Sequence, residues 1–259
     1  MTTTLLRFPF ALTPRMQSFL ECRNGLQCLN HAKKHHDMYA WLQAIQDLDE
    51  SLKGSVARKP AVPEIIGLIH ALQKHLKKLS LHSAHFKQAI LDAHDQLGEH
   101  ELKLAQSLPE LLDSIAEDGV IQSWVNSQKK MDWIGHRLFY PQILPVFWDS
   151  LGIQNKVEEN LQDFHDMIRH VDGILHDFVP WTKASAKGGC DQVQIAAQEE
   201  PCGLLIVGLP LNLVQSGITP EFSGNRHTVR IRFQQYRMGK PCQIPEQDIP
   251  YQYMLVPIL

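Results

Sequence analysis

The chain has 259 residues, of which 44% are hydrophobic and 20% charged, with a formal net charge of -3. This is a globular composition, which excludes fibrous and disordered classes and allows one large domain or two small ones. A slightly acidic chain has no global field to draw nucleic acid or anionic membrane, so any anion-binding site must be local.

The first residues after Met1 show no basic segment followed by an apolar core, so no signal peptide is expected. Residues 2–10 (TTTLLRFPF) are β-branched and aromatic and read as a strand, at an edge because of Pro9. Thr13-Pro14 then reads as an N-cap with proline at the first helical position. Met16, Phe19, Leu20 and Leu26 recur at helical spacing, as do Tyr39, Leu42, Ile45, Leu48 and Leu52. Gly54 to Pro63 holds two prolines and two basic residues and is expected to be a loop.

Helical stripes return with Ile65, Ile69, Leu72 and Leu76, then with Phe86, Ile90, Ala93 and Leu97. Leu108 to Ile115 and Val120 to Met131 continue them, and Pro141 and Pro145 interrupt. Val157 to Val179 is expected to be a long amphipathic helix, with Leu161, Phe164, Ile168, Val171 and Leu175 on one face.

The character changes at Lys183. KASAKGG, to Gly189, reads as a linker or exposed loop. Pro201 to Pro220 carries no charge, but its three prolines and three glycines fit strands and turns rather than a membrane span. Leu204 to Val207, His227 to Phe233 and Tyr251 to Val256 read as strands bounded by Gly and Pro. The expectation is an α+β fold: an all-helical domain over 11–182, then a small antiparallel β domain over 183–259 that recruits strand 2–10.

A search for chemistry finds no nucleophile elbow, P-loop, dinucleotide fingerprint or H-E-x-x-H, so no enzyme is expected and no cofactor. Five cysteines, Cys22, Cys28, Cys190, Cys202 and Cys242, form no C-x-x-C and read as reduced thiols of a cytoplasmic protein. Cys190 follows Gly-Gly but has no partner visible in sequence. Fourteen histidines raise the question of metal. His31/His35, His82/His85, Asp166/His170 and Asp172/His176 are spaced to share a helix face, as ligands must. Most of the histidines fall among Lys, Gln and Asp, so solvated surface positions are expected and no metal site is assigned.

The most informative local feature is basic. Arg226, His227, Arg230, Arg232, Arg237 and Lys240 have no acid among them. In HTVRIRF, Val229, Ile231 and Phe233 alternate with Thr228, Arg230 and Arg232. One strand face is therefore core and the other presents cations. Two arginines two residues apart lie about 7 Å from each other on that face, a spacing that clamps one acidic peptide. Lys53, Arg58 and Lys59 flank the first long loop and are further basic candidates, which sequence alone does not place beside the strand.

These residues carry a resemblance. LLRFPFALTPRMQSFLECRNGL is similar to the opening strand and first helix of the ZapD family of bacterial cell-division factors. SLKGSVARK (Ser51 to Lys59) resembles that family's basic loop, and SGNRHTVRIRF (Ser223 to Phe233) its "S-G-x-x-x-x-x-x-I-R-F" strand. Segment order and length agree from end to end, so the chain resembles a divergent member. The resemblance implies a non-enzymatic cytoplasmic homodimer at the midcell division site. It would bind the C-terminal tail of FtsZ and bundle FtsZ filaments, without membrane insertion or nucleic acid. It carries the binding role onto Arg232 and Lys53. It points more loosely to Arg226 and Arg230, which flank Thr228 where the family has another Arg, and to Arg23, close to Glu21 where the family's first helix has Arg; His227, Arg237 and Arg58 are partner-binding candidates from the basic cluster and loop alone. The segment Arg137 to Trp148 departs most from the family. Two rival readings remain: a metal-binding helical protein using the histidines, and a nucleic-acid binder using the Arg-rich strand.

Overall fold

In a computed structural model of the chain, residues 4–54, 59–82, 86–130, 136–146, 153–177, 179–195 and 202–257 are described. The chain is α+β and divides into two compact units, one of residues 18–173 and the other of 1–17 with 174–259. Both divisions fall inside helices.

The unit of residues 18–173 is helical. Its helices are α1 (Pro14–Lys34), α2 (Met38–Lys53), α3 (Ala61–His82), α4 (Lys87–Glu117), α5 (Gly119–Lys129) and α6 (Ile153–Asp177). Gly54 ends α2 with a positive φ, as expected. The loop after it is shorter than expected. Helix α3 already starts at Ala61, because Pro63 sits in the first turn, where a missing N–H leaves nothing unpaired. Helix α4 runs unbroken through Pro109 and buries Ile90, Leu97, Leu104 and Leu111 at every seventh residue. It lies antiparallel to α3: His70 meets Glu101 at 2.8 Å, and Gln73 reaches the His94 carbonyl. Asp118 caps α5 by accepting from the Val120 and Ile121 N–H groups, both at 2.9 Å.

The other unit is a two-layer β structure of strands β1 (Leu5–Ala11), β2 (Thr182–Ala186), β3 (Cys190–Gln194), β4 (Leu204–Pro210), β5 (Ile218–Gly224), β6 (Thr228–Gln235) and β7 (Ile249–Val256). A one-turn helix, α7 (Leu211–Gln215), joins β4 to β5. One sheet has the order β1-β4-β7-β2 and the second β3-β6-β5, with every pairing antiparallel. The N-terminal strand does join the β unit, Leu5 opposite Pro210 and Ala11 opposite Leu204.

The two sheets share one core. Leu205, Val207, Leu209, Ile249 and Tyr251 from the first meet Val193, Ile218, Val229, Ile231 and Phe233 from the second. Phe10 stacks on Phe222 at 5.3 Å, and Phe233 meets Tyr251 at 5.4 Å. The Tyr251 hydroxyl donates to Asp191 at 2.7 Å. Burial and that carboxylate hold the phenol far above its ordinary pKa, so it stays protonated.

The expected linker KASAKGG is instead strand β2 and a tight turn. Ala184 and Ala186 face inward between exposed Lys183 and Ser185. Gly188 and Gly189 turn the chain from one sheet to the other with φ of 52° and 72°. At Gly189 a Cβ would lie 2.9 Å from the Pro245 carbonyl, so only glycine fits.

Candidate protein-binding surface

Strand β6 lies at the centre of the second sheet, and its alternation is the expected one. Val229, Ile231 and Phe233 are fully buried, while Arg230 and Arg232 are exposed. The neighbouring strands complete an outward polar face. Arg232 lies opposite Cys190 on β3 and Glu221 on β5; Arg230 lies opposite Gln192 and Ser223.

Neither Arg230 nor Arg232 makes a side-chain hydrogen bond or ion pair among the described residues. Glu221 instead accepts from Gln234 Nε2 at 2.8 Å. The face therefore offers two unsatisfied guanidinium forks flanked by amide and hydroxyl groups. An extended peptide carrying carboxylates meets both its charge and its backbone needs there.

Arg226 and His227 form the exposed tip of the β5–β6 hairpin. The Asn225 N–H donates to the Thr228 carbonyl at 3.0 Å, and the Asn225 side-chain oxygen accepts from the His227 and Thr228 N–H groups. Gly224 makes this turn possible: its φ is 148°, and a Cβ there would lie 2.2 Å from the Thr228 oxygen. Arg237 and Lys240 follow the other end of β6, both exposed. Arg237 donates to Gln235 at 2.9 Å. Five of the residues singled out from sequence, Arg226, His227, Arg230, Arg232 and Arg237, thus belong to one strand and its two ends.

The other three belong to a different setting. Arg23, on α1 of the helical unit, is only 13% exposed and bonds Asp172 on α6 at 2.8 Å. It ties two helices together, and its Nε is buried without a partner among the described residues. Lys53 ends α2 and pairs with Asp49 one turn earlier at 2.7 Å. Arg58 lies outside the described residues.

Sequence reasoning did not single out Glu221, Gln192 or Gln234. The signal that finds them is the hairpin: once Asn225 and Thr228 close the turn, counting back four residues from Asn225 puts Glu221 opposite Arg232.

The other candidates fare differently. Cys190 is an exposed thiol opposite Arg232, with no hydrogen-bonded base among the described residues. Burial pushes the Cys22 thiol up to about 12, which makes it inert. His31 and His35 are exposed, with ring centres 4.4 Å apart. His85 lies outside the described residues, and Asp172 is taken by Arg23. Among the described residues no group of three or more His, Cys, Asp or Glu side chains is placed to hold one metal ion. No described helix is long and apolar enough to cross a membrane. No protein-family model matches the chain, and no curated protein matches its sequence.

Proposed function

We propose that this protein is a non-enzymatic adaptor of the division ring that grips the acidic C-terminal tail of FtsZ on the outer face of β6. The observation that carries the reading is that Arg230 and Arg232, two residues apart on one face of a central strand, make no ion pair among the described residues. A buried core fixes the strand beneath them, so the backbone of this strand need not be ordered when a peptide docks. The resemblance of Ser223 to Phe233 to the ZapD strand supplies the identity of the peptide.

The mechanism follows from multivalency. A filament displays many tails at high local concentration. A homodimer carries two such faces, so it holds two filaments together even when each contact is weak. Charge-based capture also makes binding salt-sensitive.

The test is co-sedimentation with GTP-assembled FtsZ from the same organism, with and without its C-terminal tail. Tail-dependent pelleting and bundling are expected. The paired substitution Arg230→Glu and Arg232→Glu should abolish both while leaving circular dichroism unchanged. Pelleting that survives that pair would place the contact elsewhere on the molecule.

A further inference from the structure

The helical unit holds a histidine pair that peptide capture does not use. His100 lies on α4 and His170 on α6, with ring centres 5.2 Å apart and planes inclined by 57°. His170, one of the positions read from sequence as solvated, is half-buried. Its Nδ1 is sealed from solvent and has no hydrogen-bond partner among the described residues. A neutral imidazole carries one N–H and one lone pair, and whichever sits on Nδ1 is unanswered here.

The spacing suits a shared ion. Two imidazoles bound to one tetrahedral metal, with metal–nitrogen bonds of about 2.0–2.1 Å, hold their ring centres about 5 Å apart. Both rings are also kept neutral. Burial, then Lys103, lowers the pKa of His100; burial, then His100, lowers that of His170. Neutral nitrogen is the form that binds metal.

The acidic neighbours favour a cation. Asp166, Glu99 and Asp163 each exert an attractive field on His100. Asp166 is held by Gln162 at 2.9 Å and Arg169 at 2.6 Å, and His165 is engaged by Asn30 and Arg169. Neither is therefore free to act as a third ligand.

We propose that His100 and His170 form a two-histidine site for a late first-row divalent ion such as Zn(II), with water completing its shell and the ion tying α4 to α6. Imidazole nitrogen selects these ions over Mg(II) and Ca(II). With only two protein ligands, the ion is held more weakly than in a closed structural zinc site.

Calorimetric titration of the chelator-treated full chain with Zn(II) at pH 7.5 tests this. One equivalent should bind, and His100→Ala and His170→Ala should each weaken it at least tenfold. His31→Ala, which removes the exposed pair on α1, should leave that binding unchanged. Absence of zinc binding, binding indifferent to both His100→Ala and His170→Ala, or loss with His31→Ala would each overturn the proposal. If either variant loses its helical circular dichroism, the unmodified chain decides. Zn(II) should then protect His100 and His170 from carbethoxylation in peptide mapping, and protection confined to other histidines counts against the site.

Discussion

Replacing Glu221 by glutamine should tighten the grip on an acidic peptide. Glu221 is the one carboxylate directly opposite Arg232, and cross-strand partners have Cβ atoms about 4.5–5.5 Å apart. A peptide carboxylate clamped by Arg232 would lie about 7 Å from the Glu221 charge, and at the dielectric of water that repulsion is about 0.6 kcal/mol. Its removal is worth about threefold in Kd at low salt, and less at 0.15 M, where the screening length is about 8 Å. Stability should stay within about 0.5 kcal/mol, because the exposed glutamine can still accept from Gln234. Fluorescence anisotropy of a labelled acidic tail peptide at low and physiological salt reads the effect. Arg232→Gln should move affinity the opposite way in the same assay. Equal affinity for Glu221→Gln and the parent chain, at low salt, would refute the placement of the peptide over Arg232.

Three further outcomes are expected. Phe233→Ala removes a fully buried ring at the junction of the two sheets and should cost about 3–5 kcal/mol in urea unfolding. Gly224→Ala drives a Cβ into the Thr228 carbonyl, so the hairpin should lose at least about 1–3 kcal/mol and peptide affinity should fall with it. The pH response follows from His100 and His170, whose native pKa values lie below the usual 6.5 through burial. The unfolded chain therefore takes up protons that the native chain refuses. The contribution is intact above about pH 6.5 and is lost as pH falls toward the native values. Urea midpoints at pH 7.5 and 5.5 should differ less in His170→Leu than in the parent chain.

The helices were legible because their apolar stripes are long and continuous. Leu42, Ile45, Leu48 and Leu52 cannot face solvent together, and Thr13 before Pro14 marks a helix start in the way a short acceptor side chain does. Strand β6 was legible for the complementary reason. It has one wet and one dry face, so its polarity alternates in the sequence itself. Strands β2 and β3 were missed because their inward positions hold Ala184, Ala186, Asp191 and Val193, a pattern too small and polar to register as hydrophobic. Strand β5 was hidden by Pro220, tolerated because β5 ends the row of its sheet. At the site, local alternation revealed Arg230 and Arg232. Arg23 looked no different from them in sequence, because its partner Asp172 is 149 positions away. Nothing local distinguishes a cation that will be claimed by a distant carboxylate from one left for a ligand.

The pairing of β1 with β4 also bears on how the chain is made. Leu5 leaves the ribosome about two hundred residues before its partner Pro210, and at roughly 5–20 residues per second that is a wait of about 10–40 s. Throughout that interval Leu6, Phe8 and Phe10 belong to a nascent strand with no sheet to join. Such a strand keeps its apolar side chains in water until β4 and β7 have both been synthesised, and only then can the first layer of the β unit close.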